Sequence, residues 1–547
     1  MKESESRRWP WWGGASGWGG PVLILLFGAT FVVEWTRAPV APIWPSIVAL
    51  VAVFATRNVL GGLLFGAVTG SILLMDGQFW RVPLDLVETH LLPNFSSGWK
   101  TGAVIFTLLL GGFVHLLERG GGLQRLLGKL LHGQSPRKVE SGAAAFGLLC
   151  FFDGLANSLM VGRIFRPMAA RSGVSRVRLA WIVDTTSASV ACVAVISTWI
   201  AYQLAMIREG YAMAGRLEEA EPYALFFASI PHNYYVWFSL ILLTYAIWRQ
   251  WNVGPMERVG RMEKPDALVT ETVGAVGGLW RAAVPVAALL GIVFVGIYID
   301  GTKAGGVPPL PFRVAKLADA FSAANVPAVL IVASAIGALL AWAFFPRAVL
   351  SKGDSAGAVF TAGMLQLFSP VLILIMAWML SSTLGALGAA DYLGAALGDR
   401  LDPAVFPTLV FLLGALVAFT TGTSWGTMGL LMPLAIPITF QIAGPGAMEL
   451  MPVVVGAVFS GAVFGDHCSP ISDTTIVTSL ACGVDPLDHV QTQLPYALMA
   501  AAGASLIGFP MAGMSDGHPL VAMVALAAYT LILVAIETIL RRGPTKA

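Results

Sequence analysis

Residues 459–475 have the sequence FSGAVFGDHCSPISDTT and lie within an otherwise apolar C-terminal half. A charged side chain near the centre of a bilayer costs about 2.5 to 3.5 kcal/mol on insertion scales, so carboxylates there usually face a partner, a cavity or an ion. Proline breaks a helix, and the backbone carbonyls that it frees must find a partner other than lipid. The stretch therefore predicts a broken helix with a cation site around Asp466 and Asp473.

The composition of the whole chain places this stretch in a membrane. Of 547 residues, 56% are hydrophobic and 12% are charged, and the mean hydropathy is +0.76. A soluble domain carries about 25% charged residues. We therefore predict an all-α polytopic membrane protein in a lipid bilayer, with no cofactor and no nucleic-acid partner. The four cysteines lie in or beside apolar stretches without a C-x-x-C pair, which favours buried thiols over disulfides or zinc ligands.

Apolar segments and basic loops together predict the topology. A span needs about 20 apolar residues, and basic loops lie in the cytoplasm, which gives about 12 transmembrane helices and two re-entrant hairpins. The hairpins are predicted at 139–162 and 404–441, and both termini in the cytoplasm of a bacterial cell, with the protein in its inner membrane. The predicted spans lie near 21–36, 42–56, 58–75, 102–118, 179–204, 225–248, 282–299, 326–345, 358–386, 453–480, 495–514 and 519–539.

The two halves of the chain carry similar short motifs in opposite predicted orientations. Each hairpin is followed by a span with Asp-Thr-Thr, and the spacing from Phe152 to Gly162 resembles that from Phe419 to Gly429. Inverted-repeat secondary transporters build a midplane site from interrupted helices in this way. We therefore predict an inverted repeat with broken helices. The predicted segments are a cytoplasmic N-terminal segment (1–20), a first half (21–248), a cytoplasmic linker (249–281), a second half (282–540) and a cytoplasmic tail (541–547).

Longer runs of this sequence resemble NhaC-type sodium/proton antiporters. The runs are residues 151–158, 175–187, 419–427, 465–475 and 488–497. The resemblance implies a transporter of the broad ion-transporter group, not an enzyme, that moves Na⁺ and H⁺. The same family includes exchangers that couple malate and lactate to these ions, and relatives thought to move amino acids. A small carboxylate or an amino acid therefore stays open as a further substrate, and a homodimer stays open as the assembly.

Buried carboxylates and hydroxyls are the candidate ion ligands, because hard cations take oxygen ligands. We expect Asp473 to bind Na⁺ when ionised and a proton when neutral, so that the two ions compete for it. Asp184 is interpreted as its counterpart in the first half and as a second Na⁺ ligand. The remaining candidate ligands are Asp466, Asp153, Asn157, Thr185, Thr186, Ser187, Thr423, Ser424, Ser472 and Thr474.

These candidates also have structural interpretations. Asp473 and Asp184 would otherwise hold the broken helices through hydrogen bonds, and Asp153 or Asn157 would cap the second helix of the first hairpin. His467 is a candidate proton relay because imidazole titrates near neutral pH, although a hydrogen-bonded core histidine is the commoner role.

Three further features of the sequence allow additional interpretations. The helix that begins beyond Gly422 would present a positive N-terminus to a carboxylate substrate. The same GTSWG stretch matches the G-x-S-x-G pattern, so an intramembrane hydrolase with Ser424 and His467 is a remote alternative, although that motif requires a strand-turn-helix elbow. His489 and Gln493 are interpreted as helix-start residues rather than ion ligands.

Overall fold

The computed structural model describes residues 19–542, with gaps at 57, 121–134, 152, 263–277, 279, 307, 311–319, 321–322, 347–354, 390, 393–395, 397–400, 471 and 516. Most of the predicted N-terminal segment, about half of the linker and most of the tail lie outside the described residues. The described residues form helices and turns, without a strand among them. The longer described helices are α1 (Gly19–Thr36), α2 (Trp44–Thr56), α3 (Val59–Leu74), α4 (Gly98–Gly120), α5 (Pro136–Leu149), α6 (Gly154–Ser172), α7 (Arg176–Val193), α8 (Ile200–Met213), α9 (Pro222–Ser229), α10 (Tyr234–Arg249), α11 (Pro255–Met262), α12 (Trp280–Ala304), α13 (Val326–Ala343), α14 (Ala356–Gln366), α15 (Phe368–Ala386), α16 (Phe406–Thr421), α17 (Ser424–Ala443), α18 (Ala447–Cys468), α19 (Asp473–Cys482), α20 (Pro486–Gly503) and α21 (Pro519–Arg542).

Shorter helical pieces lie beside two of these helices. Val82–Asp85, a π-helical turn at Leu86–Leu91 and Leu92–Ser96 form one continuous segment before α4. A second π-helical turn, Ala504–Gly508, joins α20 to Phe509–Gly513.

The helices have the length and the surface of membrane spans. Among the described residues, eight helical stretches are long and apolar enough to cross a membrane, and three shorter apolar helices accompany them. Large apolar side chains such as Leu25, Val295 and Leu531 are exposed. Lipid tails are as apolar as leucine, so such a surface is stable in a bilayer. The chain is an all-α multi-pass membrane protein, as predicted, whereas the exact number of spans stays a prediction.

Three predicted spans are interrupted in the structure. The span at 179–204 is divided at residues 194–199, between α7 and α8. The span at 225–248 is divided by the 3₁₀ turn Ile230–His232, which contains Pro231, and the span at 358–386 is divided at Leu367, just before Pro370. Proline has no amide hydrogen, and its ring clashes with the carbonyl four residues earlier. The predicted break at Pro470 is also present, because α18 ends at Cys468 and α19 begins at Asp473.

Both predicted hairpins are helix pairs separated by a short turn. The first comprises α5 and α6 and the second α16 and α17. Asp153 caps α6 by accepting a hydrogen bond from the Ala156 amide at 2.7 Å, and Thr423 caps α17 by accepting one from the Gly426 amide at 3.3 Å. The two caps, Asp153 and Thr423, are therefore structural counterparts. The sequence spacing had matched Asp153 with Thr420, which lies three residues before Thr423. Re-entry of the hairpins into the membrane stays a prediction.

The two Asp-Thr-Thr runs occupy different positions in their helices. Asp184 lies within α7, ahead of the 194–199 interruption, whereas Asp473 is the first residue of α19, after its interruption. The two aspartates are therefore not placed as equivalent residues, because a three-residue match does not fix where each helix breaks.

Helix α6 of the first hairpin packs directly on α19 of the second half. A Cβ atom on Gly162 would lie 2.6 Å from the Ala481 Cβ, so glycine allows this approach. The Thr478 hydroxyl donates to the Ser158 hydroxyl at 2.8 Å in the same contact. The hairpin and both broken helices therefore meet in one buried region.

Candidate ion-binding site

Four carboxylates lie where α6, α7, α18 and α19 meet. The side chains of Asp153, Asp184 and Asp466 are buried, at 8%, 0% and 1% exposure, whereas Asp473 is exposed. Asp466 is close enough to Asp473 and Asp184 for their charges to interact, and so is Asp473 to Asp153. In the described part of the chain, the salt bridges of these four residues comprise one contact, between Asp184 and a histidine. Four carboxylates without lysine or arginine partners form an environment that attracts cations.

Asp466 has one engaged and one unengaged carboxylate oxygen. The Ser472 hydroxyl donates to Asp466 Oδ1 at 2.5 Å, and it lies 2.9 Å from the Thr474 hydroxyl. Asp466 Oδ2 is buried and has no hydrogen-bond partner among the described residues. A buried polar atom without a partner is costly. A proton or a cation at Oδ2 would remove that cost.

Asp473 stands at the accessible end of the same group. It is the first residue of α19, where the N-terminal helix dipole stabilises a negative charge. Its Oδ1 accepts a hydrogen bond from the Thr474 amide at 2.8 Å, and its side chain stays exposed. The hydroxyls of Ser472 and Thr474 thus bond on the Asp466 side, and the Thr474 backbone amide bonds Asp473.

Asp184 is held by two residues of α20. Its Oδ2 atom lies 3.1 Å from His489 Nε2 and accepts a hydrogen bond from Gln493 Nε2 at 2.9 Å. The Ser187 hydroxyl lies 3.5 Å from Asp184 Oδ1. The interpretation of His489 and Gln493 as helix-start residues missed these contacts. Their spacing of four residues, which puts both on one face of α20, is the sequence feature that could have indicated them.

His467 is engaged at both ring nitrogens. Its Nδ1 lies 2.7 Å from the Tyr235 hydroxyl, and its Nε2 lies 3.1 Å from the Thr185 hydroxyl. Tyr235 belongs to α10 and was not among the sequence candidates. Ser424 makes no hydrogen bond to His467 in the described residues, and it is the first residue of α17, after a turn from another helix rather than in a strand-turn-helix elbow. The geometry that a serine hydrolase requires is therefore not found there.

At the tip of the first hairpin, Asp153 forms the helix cap that was one of the two interpretations of this residue. Asp153 accepts from the Ala156 amide through Oδ1 and from the Thr198 hydroxyl, at 2.8 Å, through Oδ2. Thr198 lies in the 194–199 interruption and was not predicted. Asn157 Nδ2 donates to the carbonyls of Gly147 at 2.8 Å and Thr186 at 3.0 Å, while its Oδ1 is buried without a partner among the described residues.

Two hydroxyls of α7 bond within their own helix. Thr186 donates to the carbonyl of Ile182 at 3.0 Å, and Ser187 donates to that of Asp184 at 2.9 Å.

Thr423 and Ser424, at the second hairpin, form no hydrogen bond to the four carboxylates in the described residues. Their neighbour Trp425 accepts at its carbonyl from the Tyr202 hydroxyl at 2.6 Å, and its ring lies 6.2 Å from that of Trp199. The second hairpin tip therefore contacts the end of the 194–199 interruption rather than the aspartates.

A multi-pass fold with interrupted helices is the architecture of secondary transporters. A family model described as the Na⁺/H⁺ antiporter family matches residues 190–514, and the chain belongs to this family. The resemblance to sodium/proton antiporters is thereby confirmed.

The chain is also similar to individual known proteins. The chain is 30% identical over 488 residues to an uncharacterised protein of Haemophilus influenzae, covering 86% of this chain and 91% of that protein. It is 34% identical over 119 residues to the Malate-2H(+)/Na(+)-lactate antiporter of Bacillus subtilis, covering 21% and 24% of the two chains. The solved structure of Neisseria gonorrhoeae MtrF, from a class of antimetabolite efflux pumps, has a TM-score of 0.51 and 12% identity, and the match covers 80% and 85% of the two chains. At that identity the similarity shows the fold alone.

Proposed function

We propose that this chain exchanges Na⁺ for H⁺ across the bacterial inner membrane, through competition of the two ions for buried aspartates. The observation that supports this proposal most directly is the unpartnered Oδ2 of Asp466, buried beside the exposed Asp473. A carboxylate in such a place is stable when it holds a cation or a proton. Either ion satisfies Asp466, but the charge that binds Na⁺ disappears when the proton binds.

The exposed Asp473 receives the ion in this proposal. Ser472 and Thr474 supply oxygen ligands between Asp473 and Asp466, and Na⁺, as a hard cation, takes such ligands. Asp184 provides a second Na⁺ position at Oδ1, because His489 and Gln493 occupy its Oδ2.

The proposed architecture is two halves, 21–248 and 282–540, in opposite membrane orientation with both termini in the cytoplasm. The N-capped second helix of each hairpin and the interruptions at 194–199 and 469–472 support an inverted repeat. In transporters of this kind, the site lies between the repeats near the bilayer midplane.

The test is the pH gradient in everted membrane vesicles that contain the full chain. Na⁺, Li⁺ or K⁺ is added without an organic solute, to wild type, Asp473→Asn and Asp466→Asn. We expect Na⁺ to dissipate the gradient in wild type and to fail in both variants. Asp391→Asn removes an exposed carboxylate outside the site and serves as the matched control, with wild-type behaviour expected.

The same vesicles test the solute-coupled alternative. Part of the chain resembles the Bacillus subtilis antiporter of malate and lactate. If wild type moves protons only after malate, lactate or an amino acid is supplied, simple Na⁺/H⁺ exchange is wrong and the solute-coupled mechanism replaces it.

A further inference from the structure

A small cavity lies between the tip of the first hairpin and helix α4. Its volume is about 20 Å³, which is room for about one water molecule. Helix α4 contributes His115 and Glu118 to its lining, the hairpin contributes Asp153, and α14 contributes Gln366. Across this cavity, the candidate ion ligand Asp153 therefore faces polar groups of α4 and α14 to which the proposed exchange assigns no role.

The polar groups on α4 form a pair. His115 Nδ1 lies 3.1 Å from Glu118 Oε2, and their spacing of three residues puts both on the face that lines the cavity. Glu118 is close enough to Asp153 for their charges to interact. His115, Glu118 and Asp153 are the titratable groups among the lining residues, and α14 has no charged residue.

Helices α4 and α14 close the cavity beside the pair of His115 and Glu118. A Cβ atom on Gly111 would lie 2.7 Å from the Gly363 carbonyl oxygen, so α4 and α14 are in direct backbone contact there. Glu118 lies in the last turn of α4, which ends at Gly120. The polar path from Asp153 through His115 to Glu118 therefore runs toward the membrane face at which α4 ends.

We propose that His115 and Glu118 form an access site through which cations and protons reach Asp153 from that membrane face. This inference rests on the proposed function, because such a route is useful only to a protein that moves ions. The Glu118 carboxylate attracts the ion, the water-sized cavity lets it pass, and Asp153 accepts it beside the exposed Asp473.

The first measurement is the Na⁺ dependence of exchange in everted vesicles for Glu118→Gln and His115→Asn. Loss of an access group slows ion entry, so we expect the maximal rate of Glu118→Gln to fall by about tenfold or more, with a smaller change in the apparent Na⁺ constant and a shifted pH profile. Glu118→Asp keeps the carboxylate and should recover part of the rate. Glu218→Gln removes an exposed carboxylate elsewhere and should behave as wild type.

The second measurement does not depend on exchange. Glu118→Cys in the full chain should react with a water-soluble, positively charged methanethiosulfonate, whereas Leu110→Cys, fully buried on the same helix, should not. The four native cysteines are buried, so the background reaction should be low.

The outcomes separate the two proposals. If wild type shows no exchange with any cation or solute, the proposed function fails, and thiol labelling still decides whether the cavity admits water-borne cations. If wild type exchanges ions and Glu118→Gln matches it in rate and pH profile, the access site is wrong. An unreactive Glu118→Cys overturns it as well.

Discussion

The amide nitrogen Nε2 of Gln493 lies 2.9 Å from Oδ2 of Asp184. The same nitrogen donates to the backbone carbonyl of His467, one residue before α18 ends. His489, one turn earlier on α20, contacts the same oxygen of Asp184. A helix that follows the second broken helix thus holds the aspartate of the first, and it fixes the distance between the two parts of the candidate site.

The first prediction concerns this bridge. Gln493→Ala removes a donor to a buried carboxylate, and a hydrogen bond to a charged group contributes about 1.5 to 3 kcal/mol. We expect a loss of that size in the free energy of unfolding, measured in detergent, together with slower Na⁺-driven proton movement in vesicles. The control is Gln78→Ala, which removes an exposed glutamine bonded to Arg81 and should change neither quantity. Wild-type rate and stability for Gln493→Ala would mean that the bridge has no role.

The second prediction concerns the Ser472 hydroxyl, which bonds the buried carboxylate of α18. Ser472→Ala removes the donor to Asp466 Oδ1 at 2.5 Å and a proposed Na⁺ ligand. We expect the apparent Na⁺ constant to rise about tenfold, since 1.4 kcal/mol of lost binding energy is a factor of ten.

The control for this variant is Ser505→Ala. Its hydroxyl donates to the Ala501 carbonyl within a helix, far along the sequence from the carboxylates. The Na⁺ constant of that variant should stay at the wild-type value. An unchanged constant in Ser472→Ala itself would remove Ser472 from the ion path.

Local features of the sequence predicted much of this fold, and long-range contacts explain the rest. Pro470 and the polar run around it indicated the break between α18 and α19, and the turn of the first hairpin was expected near Asp153. The 194–199 interruption contains no proline. It is stabilised instead by the Ser197 hydroxyl, which donates to the Ala191 carbonyl at 2.8 Å, and by the bond from Thr198 to Asp153. Hydroxyls that compete with backbone hydrogen bonds are too common in sequences to locate a break.

The same contrast between local sequence features and long-range contacts applies to the candidate site. Asp184, Asp466 and Asp473 were selected because carboxylates are costly in apolar segments. Their partners could not be selected that way, since Gln493 lies more than 300 residues from Asp184 in the chain. Tyr235 and His467 are likewise joined only by the packing of α10 against α18.

The third prediction concerns a buried ion pair that ties the first hairpin to α7. Arg178 Nε lies 3.3 Å from Glu140 Oε1, and Arg178 Nη1 also donates to the Trp251 carbonyl at 2.9 Å. Removing one partner of a buried pair costs about 3 to 5 kcal/mol, because the other charge is left unpaired. We expect that loss in unfolding free energy for Glu140→Gln and for Arg178→Gln. The double variant should cost less than the sum of the two single variants.

The exposed pair of Arg216 and Glu219 is the comparison for this cycle. Its side chains are 49% and 51% exposed, and surface pairs contribute about 0 to 1 kcal/mol. Glu219→Gln should therefore leave the unfolding free energy nearly unchanged. Strict additivity in the Glu140 and Arg178 cycle would show that the two side chains do not stabilise each other.

The fourth prediction concerns the contact between the second hairpin and α18. A Cβ atom on Gly465 would lie 2.2 Å from both the Ala418 Cβ and the Phe419 amide nitrogen, so Gly465→Ala must push α16 away from α18. Overpacking of this kind costs about 1 to 3 kcal/mol. Gly465 also precedes Asp466, so the displacement should slow exchange as well as lower the thermal midpoint. Gly291→Ala on α12, with nothing within 4 Å of the new Cβ, should keep or slightly raise the midpoint, because alanine favours the helix. Equal midpoints for the two variants would mean that α16 and α18 separate without cost, and that their contact does not hold the Asp466 region in place.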